Sequence, residues 1–302
     1  MDGTRNGVPP LSNPDSAPSG ATIDLHVHST ASDGSLAPEA VVARALSVGL
    51  SAIALTDHDT VAGVAAATAA GESLGLRVVG GCEFSAAAPW GEMHILGYLL
   101  PAESPVLEAF LERRRADRVR RGREMVTRLR GLGVDLEFDD VLVQSRGGAV
   151  GRPHVARAIV HQGSAADVSD AFDRFLGRGR PAFVEKSLPH FREIADVVHS
   201  VAGLVSVAHL KERGTRSFLE RLKHEGLDAI ETRHPSHDPS VRSRLTDIAH
   251  RLGLLRTGGS DWHGDPAPGE VHGSLGSQQV PAEWLDRLDA LRPAPPAPAV
   301  GQ

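Results

Sequence analysis

The stretch Thr22-Ile23-Asp24-Leu25-His26-Val27-His28 alternates apolar and polar residues without a break. A period of two is the pattern of a β-strand, and it predicts Asp24, His26 and His28 on one face. The segment that follows has Pro38 in its first turn, Gly49 at its end, and an apolar stripe of Val41, Val42, Ala45 and Leu46, which predicts a helix. A second apolar run, Ala52–Leu55, leads into a small-residue helix from Val61 to Leu74. Further strands are predicted at Leu76–Gly80, Met93–Leu99, Leu204–Ala208, Ala229–Thr232 and Leu254–Thr257. Helices striped by Ile194, Val197, Val198 and Val201, by Phe218, Leu219 and Leu222, and by Val241, Leu245, Ile248 and Leu252 separate the later strands. Repeated β-α units predict an α/β fold whose mainly parallel sheet closes, or nearly closes, into a barrel. Residues 103–186 break this rhythm, helical and Arg-rich at first and then irregular. They read as an inserted cap that divides the barrel into residues 21–102 and 187–291. Residues 1–20 and 292–302, rich in Gly, Pro, Ser and Ala, read as disordered tails.

The 302 residues, 41% hydrophobic and 23% charged, are enough for a substantial core, built on Ala and Val because aromatics make up only 4%. A net charge of −6 argues against a general polyanion binder. The single cysteine, Cys82, excludes an internal disulfide and fits a reducing compartment. With no apolar run of bilayer length and no signal-type N-terminus, a cytoplasmic protein is expected, with no membrane contact and no obligatory protein partner.

The histidines fall where the strands end. His26 and His28 close the first strand, His58 follows the second in Thr56-Asp57-His58-Asp59, and Glu83 follows the third. His94 lies near the start of the Met93–Leu99 segment, and His209 closes Val205-Ser206-Val207-Ala208. Asp261 and His263 follow the last strand. C-terminal strand ends of parallel α/β folds converge on one rim, so these residues are expected to meet in space. Neutral imidazoles and carboxylates are the ligand set for borderline divalent ions such as Zn, Mn and Fe. Asp24 is expected to orient a ligand rather than bind an ion. His234 and His237 are expected near the site without touching an ion. His161, His190, His199, His224, His250 and His272 lack acidic company and read as ordinary surface or core residues.

Six segments together resemble the PHP (polymerase and histidinol phosphatase) family. They are Asp24-Leu25-His26-Val27-His28-Ser29, then Ser32-Asp33-Gly34, Thr56-Asp57-His58-Asp59 and Gly81-Cys82-Glu83-Phe84-Ser85, and finally His94-Ile95-Leu96-Gly97-Tyr98 and Gly259-Ser260-Asp261-Trp262-His263-Gly264. They stand in the family's order and span Ile23 to about Arg292. The segment Gly151-Arg152-Pro153-His154-Val155-Ala156 resembles the branch that acts on nucleoside 3′,5′-bisphosphates and short RNA 5′ ends. The resemblance implies a distorted barrel of seven βα units and three divalent ions. One ion would take His26, His28, Glu83 and Asp261; a second would share Glu83 and add His94 and His209; the third would use Asp33, His58 and His263. Leu210 stands where the family commonly has proline, which puts the loop Lys211-Glu212-Arg213 in question.

Clustered ions lower the pKa of a bound water from about 15.7 toward 7 and neutralise phosphate charge, so in-line attack by a metal-bridging hydroxide on phosphorus is the expected chemistry. His154, or a metal-bound water, is the candidate proton donor to the leaving group. Arg152 and then Arg213 are the candidate grips for a phosphate that is not cleaved. The nine arginines between Glu112 and Arg130 read equally as an electrostatic ramp for a nucleotide or short RNA and as a solvated helix face. The expected activity is a phosphoesterase removing the 3′-phosphate of nucleotide bisphosphates or acting on RNA 5′ ends. Competing readings are a phosphatase for a metabolite such as histidinol phosphate, an amide hydrolase, and a non-catalytic metal-binding module.

Overall fold

The first strand, β1 (Thr22–Val27), is buried on both faces, as a strand inside an α/β barrel must be. The computed structural model describes residues 20–265 and 273–292. His272 and nearly all of both predicted tails lie outside the described residues. From β1 the chain passes through α1 (Pro38–Ser47), β2 (Ala52–Leu55) and α2 (Val64–Leu74) to β3 (Arg77–Ala88), with β1, β2 and β3 parallel. It then turns straight back. β4 (Gly91–Tyr98) pairs antiparallel with β3 from Gly81–Tyr98 to Ala88–Gly91, and no helix intervenes. β5 (Leu204–Val207) is antiparallel to β4, whereas β6 (Ala229–Arg233) and β7 (Leu255–Gly258) restore parallel pairing. A two-residue β8 (Val280–Pro281) pairs antiparallel with β1. The order is β7-β6-β5-β4-β3-β2-β1-β8, and the barrel nearly closes where Val27 bridges Trp262 and the His28 N–H donates to the Trp262 carbonyl at 2.9 Å.

Two departures from the simple βα expectation matter for the site. β3 runs eight residues beyond the predicted Gly80, so Glu83 sits within a strand rather than after one. β4 is antiparallel, which puts the start of that strand, and His94 with it, on the same rim as the ends of β1 and β2.

Between β4 and β5 the chain forms α3 (Pro105–Gly131), α4 (Phe138–Ser145), α5 (Arg152–His161) and α6 (Val168–Ala171), which continues into a π-helical turn, Phe172–Leu176. The long α3 starts firmly: Pro105 occupies its first turn, and the Ser104 side chain accepts a hydrogen bond from the Leu107 N–H. These helices share their own hydrophobic cluster, including Met125, Leu129, Val141, Val155, Ile159 and Leu176. α7 (Phe191–Ser200), α8 (Arg216–His224) and α9 (Pro239–Leu252) join Phe84, Ile95, Val205 and Ile230 in another. α10 (Glu283–Leu291) adds Trp284, Leu285 and Leu288 to a third with Ile23, Leu25 and Tyr98. Burying each large aliphatic in these clusters contributes about 1.5–3 kcal/mol. Among the described residues, no helix is long and apolar enough to cross a membrane.

Candidate metal centre

Glu83 is the hub of the rim. Its Oε2 lies 3.2 Å from His26 Nε2, 3.1 Å from His28 Nε2 and 3.3 Å from His58 Nδ1. Its Oε1 lies 2.7 Å from His94 Nδ1 and 3.2 Å from His209 Nε2. Asp261 Oδ1 approaches both His26 Nε2 and His28 Nε2 at 3.3 Å, while Asp33 Oδ1 is 3.3 Å from His263 Nε2. All nine predicted residues therefore meet. The donor atoms of eight of them form overlapping groups able to hold an ion: His26, His28, Glu83 and Asp261; His28, Asp33, His58 and His263; and His58, Glu83 and His94. In the last group His58 stands in the place expected of His209, which reaches the cluster through Glu83 Oε1.

Surrounding groups fix the backbone and the rings. Asp24 accepts from the backbone N–H groups of His26 (3.2 Å), Ser260 (2.9 Å) and Gly276 (2.8 Å), anchoring the chain beside His26 and Asp261. A β-carbon on Gly259 would lie 2.4 Å from His26 Cβ, so only glycine lets the end of β7 pass this close. Asp57 accepts from the Ser29 N–H and from the hydroxyls of Ser29 and Ser32, tying down the loop that carries Asp33. Asp59, His209 and Asp261 all have positive φ, at 50°, 29° and 52°, which is backbone strain concentrated at one rim.

The electrostatics fit cations. Burial opposes the charge on Glu83, but His58, His94 and His26 outweigh it and hold the carboxyl well below the usual range. Burial likewise opposes protonation of His28, yet Asp261 and Glu83 raise it to about 10. Burial pushes His58 down to about 3 against the pull of Glu83 and Asp33. His26 Nε2, both ring nitrogens of His28, His58 Nδ1, Asp33 Oδ1 and Glu83 Oε2 are buried without a hydrogen-bond partner. Buried polar atoms are normally satisfied, and so many unsatisfied ones converging on a point suit divalent ions.

A PHP domain model matches residues 24–225. A 5′-3′ exoribonuclease of Salmonella typhimurium is 34% identical over 253 residues, covering 81% of this chain and 86% of that protein. A 3′,5′-nucleoside bisphosphate phosphatase of Chromobacterium violaceum is 33% identical over 258 residues, covering 83% and 89%. A Bifidobacterium adolescentis protein, assigned as a metal-dependent phosphoesterase, has a solved structure that superposes with a TM-score of 0.82 at 32% identity, covering 90% of this chain and 97% of the other. The chain belongs to the PHP domain family. It is a metal-dependent phosphoesterase with a mixed α/β, nearly closed PHP barrel.

Beside this PHP centre lies a second feature, a cleft of about 490 Å³ between the β3–β4 hairpin tip and the helices that follow β4. Arg121, Arg152, Arg178, Lys186 and Arg213 line it, opposed by Glu92 and Glu185. Glu92 joins the two regions, since it lies 3.3 Å from His94 Nε2 and bonds Lys186. Burial, then the charges of Arg118 and Arg152, lower Arg121 to about 10, and its Nε is buried without a partner. His154 accepts the Gly151 N–H at Nδ1 (3.0 Å), which leaves its proton on Nε2. Burial first, then Arg157, pushes its pKa to about 4.

Other predictions meet mixed outcomes. His234 comes closer than expected: its Nε2 lies 3.4 Å from Asp261 Oδ2, and with His26 and Glu231 it forms a further group of donors able to hold an ion. His237 supports the loop after His209, accepting from the Lys211 N–H and donating to the Thr232 carbonyl. His161, His190, His224 and His250 sit at helix termini, and His199 pairs with Asp228. Most of the nine arginines of α3 serve the helix or its neighbours: Arg120 bonds Asp117 and Glu124, Arg128 bonds Glu124, and Arg130 bonds Glu137. Arg118 and Arg121 turn inward, and Arg118 forms a buried 2.6 Å ion pair with Asp59. Glu231 escaped the sequence reading, although it accepts from both His26 Nδ1 (3.0 Å) and the His209 N–H (2.7 Å). Glu92 escaped it too, although it stands two residues before His94 on the same strand, a spacing that shares a face.

Proposed function

We propose that the enzyme hydrolyses the 3′-phosphate of nucleoside 3′,5′-bisphosphates and releases nucleotides from the 5′ ends of short RNA. The observation that carries this reading is the five-cation cleft joined to the metal centre through Glu92. Both substrates present a 5′-phosphate and a scissile bond between the 3′-oxygen and phosphorus, a monoester in one and a diester in the other. A single grip on the 5′-phosphate would serve for both.

His26, His28, Asp33, His58, Glu83, His94, His209, Asp261 and His263 would hold the divalent ions, three in number, with Mn, Fe and Zn the metals this donor set suits. Bound ions would supply a hydroxide nucleophile at neutral pH and neutralise charge on the phosphoryl oxygens. Glu231 takes the proton of His26 Nδ1 in a hydrogen bond and leaves Nε2 free to ligate; Glu92 does the same at His94 Nε2 and leaves Nδ1. Arg152, Lys186, Arg121 and Arg213 grip the 5′-phosphate, whose charge relieves their mutual repulsion. His154, neutral at pH 7, contributes its Nε2–H as a hydrogen-bond donor to the substrate rather than acting as a reservoir of protons. Residues 103–186 act as the cap that brings Arg121, Arg152 and Arg178 to the rim.

The test is side-by-side hydrolysis of adenosine 3′,5′-bisphosphate, adenosine 3′-monophosphate, 5′-phosphorylated RNA and histidinol phosphate, with Mn and with chelator. Preference for the two substrates bearing a 5′-phosphate, abolished by chelator, is expected. Equal turnover of simple monophosphates would overturn the substrate reading in favour of a small-metabolite phosphatase.

A further inference from the structure

The tip of the β3–β4 hairpin, Pro89-Trp90-Gly91, stands at the mouth of the cationic cleft, and two of its residues meet arginines from different parts of the chain. The guanidinium carbon of Arg213 lies 5.3 Å from the centroid of the Trp90 ring. Arg213 ends a three-residue 3₁₀ turn, Lys211–Arg213, is exposed, and makes no ion pair among the described residues. The indole itself is well fixed: its Nε1–H donates to the Glu92 carbonyl at 2.8 Å, and Phe218 of α8 packs on it at 4.9 Å between ring centroids. Gly91, at φ +115°, accommodates the second arginine, because a β-carbon there would lie 2.4 Å from Arg178 Nη2.

We propose that Trp90 is a positioning residue that holds Arg213 over the cleft, and that the hairpin tip thereby sets the enzyme's demand for a second phosphate. A guanidinium over an indole face keeps its edge N–H groups free to donate, so the ring fixes the arginine without consuming the donors a phosphate needs. A carboxylate partner would have cancelled the charge. The contact thus supplies order to an exposed arginine at no electrostatic cost to anion binding. This inference rests on the bisphosphate reading above.

The test compares the metal-loaded wild-type enzyme with Trp90→Ala, Trp90→Phe, Arg213→Ala and the Trp90→Ala/Arg213→Ala double variant, on adenosine 3′,5′-bisphosphate and adenosine 3′-monophosphate. Trp90→Ala is expected to raise KM for the bisphosphate about two- to fivefold, the scale of one cation–π contact at an exposed site. Its kcat should stay within about twofold and its kinetics on the monophosphate should not change, because the contact acts on ground-state binding of the distal phosphate. Trp90→Phe should recover most of the loss, and the double variant should be no worse than Arg213→Ala. An equal fall in kcat on both substrates, or an additive double variant, would overturn the proposal by making the tip a structural prop for Glu92 and His94. If Trp90→Ala does not fold, Arg213→Ala decides alone, and an unchanged KM there overturns the proposal. A wild-type enzyme without preference for the bisphosphate removes the substrate reading and this inference with it; a preference that survives Trp90→Ala removes this inference only.

Discussion

The metal centre and the cationic cleft lie side by side but are built on opposite principles. In the centre, acids and imidazoles balance one another around Glu83, and the strands with the loops that leave them hold the members. In the cleft, five cations face two carboxylates, and loops and helix ends carry most of them. Histidines record the contrast. His28 and His94, set among carboxylates, are raised against burial to about 10 and about 9, whereas His154, outside the lining of the cleft, is lowered to about 4 by burial and Arg157 against the pull of Asp33. One region is rich in carboxylates and imidazoles and the other in guanidinium groups, and the bisphosphate proposal rests on that contrast. Arg118 and Asp59 form a buried ion pair that links α3 to the loop that carries His58.

If the two regions are separable, damage to one should spare the other. His26→Ala removes a member of the metal cluster that contacts both Glu83 and Asp261. Hydrolysis should fall by at least about 10²–10³-fold, the scale of losing one preorganised charge-stabilising element, and elemental analysis should show fewer ions per chain. Binding of adenosine 5′-monophosphate, followed by calorimetry, should change less than about threefold, since the cleft does not include His26. Loss of nucleotide binding in parallel with activity would mean that the two regions form a single site.

The same division explains what could be read from the sequence. The metal centre was legible because most of its members sit at or just beyond strand ends in short motifs, and strand ends of an α/β fold share a rim whatever lies between them. His94 reaches the rim although its strand runs the other way, because the start of an antiparallel strand lies at the same end. The full length of β3 was hidden by Gly80-Gly81 and the small residues after Phe84, which carry no alternation; only pairing with β4 makes them a strand. The cleft was barely legible. Arg152 stood out through its motif, but Lys186 and Trp90 belong to it only through tertiary packing, and nine arginines in one helix give no hint of which two turn inward. Glu231 and Glu92 act through histidines brought to them by the fold, so their roles follow from contacts rather than from spacing.

The electrostatic contrast also has a signature in stability. The pKa of His154 is depressed from 6.5 to about 4, so below pH 6.5 the unfolded chain takes up a proton that the folded chain refuses. Its contribution to stability is intact above pH 6.5 and is lost as the pH falls toward 4, amounting to about 2 kcal/mol by pH 5 and about 3 kcal/mol when complete. Urea unfolding of the chelated wild type and of His154→Gln at pH 7.5 and pH 5 isolates this effect, since other titrations cancel between the two proteins. The variant should lose less stability on acidification than the wild type. Equal losses would mean that His154 can be protonated where it stands, and that burial beside Arg157 does not hold it neutral.

The smallest effect is expected from the pair Arg120 and Arg121, neighbours on α3 with opposite outlooks. Arg121 is buried, lines the cleft, donates to the Val184 carbonyl and keeps Nε unpaired, whereas Arg120 is spent on Asp117 and Glu124 at the exposed surface. Arg121→Ala should raise KM for a nucleoside 3′,5′-bisphosphate about tenfold or more, as removal of a charge-assisted hydrogen bond to phosphate does. Arg120→Ala should leave KM unchanged at moderate ionic strength, where screening reduces an exposed charge beyond the cleft to little. If instead both variants raise KM by similar factors, and both effects fade with added salt, α3 attracts the substrate as one long positive field. The cleft would then owe its anion binding to the helix's summed charge rather than to the few arginines the fold turns inward.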